Sequence, residues 1–210
     1  MENDLSPQEL HVITRETVGH YNESAESFWE GTRDHDVMQN VHALLDALQG
    51  DGPHTILDFG CRPGRDLATF RDLGHTPIGL EGSKRFCEMA RAFSGCEVLH
   101  QDFLALDLPP AFLDGVFANA TIFHVPRQEL PRVLGELHAA LKPGGVFFSS
   151  NPRGHNVEGW SGARYSSYHD LGAWRAFMTS AGFVEIDHYY RPPGLPRDQQ
   201  PWLASTWRKS

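Results

Sequence analysis

The residues of this chain best suited to chemistry are grouped around one loop. The run Asp58-Phe59-Gly60-Cys61-Arg62-Pro63-Gly64-Arg65-Asp66 joins an acid to a small-residue turn and then to the start of a helix. A second apolar run, Ile78-Gly79-Leu80, ends in another acid, Glu81. In an open α/β sheet this order sets a loop and a helix N-terminus over the carboxyl end of the first strand. Glu81 then stands at the tip of the next strand, where a carboxylate accepts hydrogen bonds from both hydroxyls of a ribose. The chemistry these residue types suit is recognition of a nucleoside. A pyrophosphate would need G-x-G-x-x-G, and Pro63 removes an N–H from the place where a phosphate would want one.

Further polar residues follow later apolar runs. Gln101-Asp102-Phe103 comes after the third run, and Asp114-Gly115-Val116-Phe117-Ala118-Asn119-Ala120 forms the fourth. Asp102 is expected to accept from the exocyclic amine of the base while the Phe103 N–H meets a ring nitrogen. The alternative is that Asp102 only caps the following turn. His124 lies just past the fourth strand with two roles open, fixing a proton on the reacting group or packing beside the base. Asn119 offers a polar contact at the same strand end. Cys61 reads as a small residue filling a tight turn rather than a reactive thiol. The 12 histidines form no H-x-x-x-H pair and no Cys/His cluster at ligand spacing, so no metal is expected.

The net charge of −9 and the lack of a basic run argue against nucleic acid, whose binding needs Lys and Arg on phosphates. No apolar stretch approaches the length of a membrane span, and Met1-Glu2-Asn3-Asp4 is no signal peptide. No membrane partner is expected. Three cysteines without a disulfide-like framework suit a reducing, cytoplasmic location. The expected organisation is a single domain over 1–210, and monomer and homodimer both stand open.

The elements that must position these residues follow from capping and periodicity. Ser6-Pro7-Gln8-Glu9 is a capping box that starts a helix to about Val18. Val37, Val41, Leu44, Leu45 and Leu48 recur at helical spacing, giving a second helix that ends near Gly50. Residues 1–50 are therefore N-terminal helices with a lid segment, and 51–210 a Rossmann-like core. Strands are expected over 56–59, 77–80, 97–100, 116–120 and 146–150, alternating with helices over 66–73, 83–93 and 128–141. A helix over 171–181 and strands over 183–190 and 202–207 complete the chain. The fold class is α/β, a seven-stranded mainly parallel sheet with an antiparallel terminal hairpin and an N-terminal helical cap. Two segments outside that scaffold carry aromatic and charged residues, Tyr21 to Asp36 and the long connection near 151–169. A connection longer than about 12 residues is more often functional than idle, so both are expected to form a lid.

The pattern D-x-G-C-x-x-G-R-D, with Glu81, Asp102 and Leu141-Lys142-Pro143-Gly144-Gly145, resembles class I S-adenosylmethionine-dependent methyltransferases. Four stretches resemble a narrower group, the methyltransferase domain of the ovothiol-biosynthesis enzyme 5-histidylcysteine sulfoxide synthase. They are F-W-E-G-T-R-D-H-D-V-x-Q-N, D-F-G-C-x-P-G-R-D-L, N-A-x-x-F-H-V-P and P-R-x-x-Q-P-W-L-A-S, within about Tyr21 to Lys209. That resemblance implies S-adenosyl-L-methionine as cofactor and N-methylation of the imidazole ring of 5-thiohistidine. The alternative is methylation of another small metabolite at O, S or C.

The implied cofactor contacts are Asp58, Gly60, Cys61, Arg62 and Arg65 in the loop, with Glu81, Gly82 and Ser83 after the second strand. Asp102 and Phe103, Asn119 and Ala120, and Trp29 and Arg33 from the N-terminal segment complete them. Tyr21, Asn119 and His124 are the candidate catalytic residues. An amino-acid-like substrate is expected against Trp29, Phe123, His124, Asn151, Trp160 and Tyr165, with Arg153 or Arg164 on its carboxylate and Glu158 on its ammonium. Arg62 departs from the group, which carries glycine there. Either the backbone there takes a positive φ, at a cost on the order of 1 kcal/mol for an arginine, or the guanidinium holds the methionine carboxylate.

Overall fold

The computed structural model describes residues 4–210. The expectation about a signal peptide at Met1–Asn3 lies outside them. The N-terminal helices are α1 (Pro7–Glu23), α2 (Ala25–Thr32) and α3 (Met38–Leu45). The alternating part runs β1 (Thr55–Phe59), α4 (Arg65–Asp72), β2 (Thr76–Glu81), α5 (Lys84–Ser94), β3 (Glu97–His100), β4 (Leu113–Asn119), α6 (Leu130–Ala140) and β5 (Leu141–Pro152). A hairpin of β6 (Val157–Ser161) and β7 (Arg164–Tyr168) follows, then α7 (Leu171–Ser180), β8 (Phe183–Arg191) and β9 (Trp202–Lys209).

The main sheet has seven strands in the order β3-β2-β1-β4-β5-β9-β8. The first five are parallel, and β9 runs antiparallel to both β5 and β8. The period-2 alternation of buried residues explains why both faces are covered. Leu57, Phe59, Val116, Ala118 and Phe147 point towards α6 and α7. Ile56, Phe117, Val146 and Phe148 point towards α3. Strands apolar on both faces require helices on both faces. The order reverses between β1 and β4, and at such a switch point the carboxyl ends of the strands open a crevice.

Several elements differ from expectation, among them α3, which ends at Leu45 rather than near Gly50, and β5, which begins at Leu141. Helix α1 begins on the predicted box, with Ser6 accepting from the Glu9 N–H and the Glu9 side chain accepting from the Ser6 N–H. It passes Gly19 and ends only at Glu23. The expected lid segment is largely helix α2, and the long connection is the β6–β7 hairpin, paired in register from Val157↔Tyr168 to Ser161↔Arg164.

Candidate functional site

At the carboxyl ends of β1 and β4 the backbone adopts unusual conformations for a reason of space. Gly60 has φ 74, and a Cβ there would run into the side chain of Thr121, whose hydroxyl donates to the Phe59 carbonyl at 2.6 Å. Gly64 has φ 95, and a Cβ there would meet the Ala90 backbone at 2.9 Å, so α4 and α5 pack only over glycine. Two residues with side chains share the left-handed region, Arg62 at φ 53 and Ala120 at φ 59. Each holds on the order of 1 kcal/mol of strain, and strain of this kind concentrates at functional sites.

The Arg62 backbone does take positive φ, and its side chain is engaged. The Arg62 N–H donates to Glu81 Oε2 at 3.0 Å. Its guanidinium donates to the carbonyls of Asn119 and of Ala120, the latter at 2.6 Å, and lies 5.6 Å from the Phe28 ring centre. Glu81 Oε1 accepts from the Ser83 N–H at 2.9 Å. Burial pushes the Glu81 carboxyl above its ordinary range, opposed by these backbone donors. Asp58 is raised well above its ordinary range, first by burial and then by the neighbouring Asp66 carboxylate. Its Oδ2 is buried without a hydrogen-bond partner. Burial also raises the Cys61 thiol, which fills space against Gly79 and is not a thiolate nucleophile.

Two cavities meet here. The smaller, of about 70 Å³, is lined by Gly60, Glu81, Gly82, Asp102, Phe103 and Leu104 from the sheet, and by Ile13, Thr14, Thr17, Val18 and Tyr21 from α1. Asp102 Oδ1 accepts from the Leu104 N–H at 2.8 Å, so the turn-capping alternative describes one of its oxygens. The larger, of about 630 Å³, is lined by Phe28, Val37, Phe123 and Trp202 and by Arg62, Arg65, Arg164 and Arg191. Tyr21, Arg62 and Ala120 line both.

Tyr21 stands at the junction because its neighbours fix it. The imidazole Nδ1 of His124 lies 2.7 Å from the Tyr165 carbonyl, a contact only an N–H can make, so Nε2 is the acceptor. The Tyr21 hydroxyl donates to that Nε2 at 2.9 Å and accepts from the Arg164 guanidinium at 3.3 Å. Burial, then the nearby cations Arg164, Arg62 and His20, pull the His124 pKa down to about 4 against the raising effect of the Tyr165 carbonyl. The imidazole is therefore neutral at physiological pH, and too weak a base to remove a proton efficiently.

Several expected contacts lie elsewhere. Asn119 does line the larger cavity, but its amide is already engaged: its Oδ1 accepts from Asn40 at 2.9 Å and its Nδ2 donates to Asp66 at 3.2 Å. Asp66 in turn binds Arg65 at 2.6 Å. Ser83 caps α5 through Phe86 N–H and donates to Asn22 Oδ1 at 2.8 Å. Arg153 turns to the Arg197 carbonyl at 2.6 Å and over the Tyr190 ring, because the end of β5 faces the 192–201 connection. Trp160 is 48% exposed on the outside of the hairpin. Tyr165 has a buried ring and presents only backbone, its N–H donating to Thr17 at 3.1 Å. Asn151 lines a separate cavity of about 10 Å³ with His169 and Trp174. Trp29 packs edge-on against Phe93 at 4.8 Å and lines a pocket of about 10 Å³ with the loop residues Cys61 to Asp66, apart from the two cavities, while Arg33 is exposed beside Asp34 and Glu158 accepts from the Arg127 N–H at 2.7 Å. Conversely, Thr14, Thr17, Val18 and Asn22 on α1, and Arg191 at the end of β8, were not anticipated. Their only signal was the helical continuation past Gly19 and an arginine before Pro192-Pro193.

Residues 56–145 match the sequence family described as methyltransferase domain. The 24-methylenesterol C-methyltransferase 2 of Oryza sativa subsp. japonica is 32% identical over 127 residues, 56% of this chain and 34% of that protein. The sterol 24-C-methyltransferase of Candida albicans is 28% identical over 130 residues, 58% of this chain and 33% of that protein. The chain thus spans about a third of the length of these curated relatives. A 1,6-didemethyltoxoflavin-N1-methyltransferase from Burkholderia thailandensis, solved with 1,6-didemethyltoxoflavin and S-adenosylhomocysteine, superposes with TM-score 0.78 at 21% identity. The match covers 100% of this chain and 93% of that one. The chain has the class I S-adenosylmethionine-dependent methyltransferase fold. A geranyl diphosphate C-methyltransferase from Streptomyces coelicolor A3(2) shares this methyltransferase fold with TM-score 0.66 at 15% identity, over 82% of this chain and 76% of that one.

The side chains present fit S-adenosylmethionine. The orphaned Asp58 oxygen beside Asp66 and Glu81 gives the loop an excess of buried carboxylate that suits a cationic ligand. Glu81 suits ribose hydroxyls. Among the described residues no helix is long and apolar enough to cross a membrane.

Proposed function

We propose that this protein is an S-adenosylmethionine-dependent methyltransferase of small molecules, acting on a ring nitrogen of an imidazole amino acid, 5-thiohistidine, as in ovothiol biosynthesis. The observation that carries the reading is the Tyr21 hydroxyl, fixed by His124 and Arg164 where the two cavities meet. Glu81, Gly82, Asp102 and Phe103 would hold the cofactor, with Gly60 and Arg62 beneath it. The cofactor supplies an electrophilic methyl group on a sulfonium, whose neutral leaving group needs no acid.

The protein's work is then orientation. With one lone pair on the Arg164 contact and its proton on His124, the Tyr21 oxygen has a second lone pair for a substrate N–H. An imidazole held by its N–H presents the lone pair of its other nitrogen away from Tyr21, which fixes the reactive tautomer without a strong base. Such positioning supplies much of the rate of an in-line displacement. Phe28, Phe123 and Trp202 provide apolar walls for a flat ring. The solved N1-methyltransferase that covers the whole chain, and the four stretches resembling the ovothiol group, support nitrogen as acceptor. The sterol relatives support carbon instead, and a cavity wall bearing four arginines suits a sterol poorly.

The test is product analysis by mass spectrometry and NMR with S-adenosylmethionine and a panel of 5-thiohistidine, histidine, phenols, thiols and a sterol. The expected product carries a methyl on an imidazole nitrogen. Methylation confined to carbon, oxygen or sulfur would refute the nitrogen reading.

A further inference from the structure

The larger cavity concentrates positive charge in an acidic protein. Arg62, Arg65, Arg164 and Arg191 line it against one carboxylate, Asp36, in a chain of net charge −9. Two of the four are satisfied internally. Arg62 is engaged by the Asn119 and Ala120 carbonyls, and Arg65 by Asp66 and the Thr32 carbonyl. The other two are not. Arg164 makes a single 3.3 Å contact with the Tyr21 hydroxyl, with its guanidinium 5.9 Å from that ring centre. Arg191 makes a single 3.4 Å contact with the Asp36 carbonyl. Among the described residues neither has a carboxylate within ion-pair distance, and the Asp36 carboxylate accepts from the Met38 N–H at 2.9 Å.

A guanidinium carries five N–H donors in a fork that matches a carboxylate or phosphate. The donors without a protein partner face the cavity, where a ligand's acceptors can replace water. The two arginines also arrive from different elements. Arg164 is the first residue of β7 and Arg191 the last of β8, where it pairs in register with Trp202, another wall residue. The loop beyond Arg191 is tied by Gln200, which donates to the Pro192 carbonyl at 3.0 Å. We infer that the larger cavity is built for a small organic anion, and that Arg191, with Arg164, is a specificity-determining residue that grips its anionic group.

This inference rests on the reading of the cavity as the methyl-acceptor site. It replaces Arg153 in that role by Arg191. It also gives the site a steering field, since a cationic cleft in an anionic protein draws anions selectively. The volume lies within the range of small-molecule sites, roughly 300–1,000 Å³.

The experiment is calorimetry on the protein with and without saturating S-adenosylhomocysteine. The probes are matched pairs that differ in the anionic group, L-histidine against histamine and imidazole-4-acetate against 4-methylimidazole, with inorganic phosphate as a free anion. The wild type is expected to bind the carboxylate member of each pair about tenfold or more tightly than its counterpart. Arg191→Gln and Arg164→Gln should each abolish most of that preference, and Arg191→Lys should keep part of it. Unchanged S-adenosylhomocysteine affinity in the variants certifies that they fold. Equal binding of each pair by the wild type, or a preference that survives Arg191→Gln, overturns the inference. Phosphate competing as strongly as the carboxylates, with the same loss in Arg191→Gln, supports the anion grip and widens its ligand class to phosphates. Failure of the wild type to bind S-adenosylhomocysteine overturns the methyltransferase reading, while the pairs measured without it still decide the anion grip.

Discussion

Tyr21 shows how one acceptor, one donor and two ring contacts make a positioned group. His124 takes its proton, Arg164 donates to its oxygen, and Phe86 and Phe28 hold its ring at 5.6 and 5.8 Å. Replacing Tyr21 by Phe keeps the ring and removes the acceptor, so steady-state kinetics should show kcat/KM down about tenfold, the value of one hydrogen bond to a reacting group. An unchanged kcat/KM would remove Tyr21 from the mechanism. The pH dependence has a definite sign. Because the His124 pKa is lowered from 6.5 to about 4, its neutral, accepting form persists well below pH 6.5. The rate profile should therefore show no inflection near 6.5 from this residue and should fall only as pH approaches 4. Residues whose roles attach to strand ends were legible in the sequence: Gly60, Glu81, Asp102 and Phe103 all line the smaller cavity, as their order along the chain implied. Arg153 turns to another partner, and the Asn119 amide is already engaged where it lines the larger cavity, because a strand-end position says where a side chain begins and not which neighbour claims it. Asn40, far away in sequence, claims the Asn119 amide.

Helix α1 illustrates why element boundaries are harder to read. Gly19 weakens a helix by about 1 kcal/mol relative to alanine, and on local grounds it marks an end. The helix continues because Tyr21 and Asn22 beyond it dock. Tyr21 packs on Phe86, and Asn22 Oδ1 accepts from both the Ser83 hydroxyl at 2.8 Å and the Arg85 N–H at 3.1 Å. A side chain of one helix thus caps the first turn of another, a contact that no pattern within either helix announces. Replacing Asn22 by Ala should lower stability by about 1 kcal/mol, the usual value of a cap. Hydrogen exchange should speed up in the first turn of α5 and in the last turn of α1. Faster exchange confined to α5 would mean that α1 is held by its other contacts. The hairpin β6–β7 was hidden for a similar reason: its strands alternate small, polar and aromatic residues and lie apart from the main sheet, so they gave no buried apolar run.

At the scale of the whole molecule, the central strands β1, β4 and β5 were legible because apolar runs covered on both faces leave few alternatives to a parallel sheet. What that sheet gathers at its carboxyl edge is a set of opposing charges. Asp58 is held well above its ordinary carboxylate range, so its neutral form is favoured in the folded protein. A carboxyl raised on folding contributes stability below its unfolded pKa, and loses that contribution as pH rises through its folded value. His124 and His169 act oppositely. Both are lowered to about 4, so they take stability away as pH falls from 6.5 towards 4. Comparing Asp58→Asn with wild type cancels the histidines. The variant should melt higher than wild type, with an advantage that grows as pH rises above the ordinary carboxylate range, and it should bind S-adenosylhomocysteine less tightly. A melting difference independent of pH would mean that Asp58 is not the strained charge. Helix α1 then has a consequence for timing. Its residues Ile13, Thr14, Thr17 and Val18 cover the smaller cavity while Tyr21, one turn further on, completes the junction with the larger one. Were a nucleoside to enter by lifting that helix, the tyrosine would be drawn from His124, and cofactor loading and methyl transfer would then exclude each other in time.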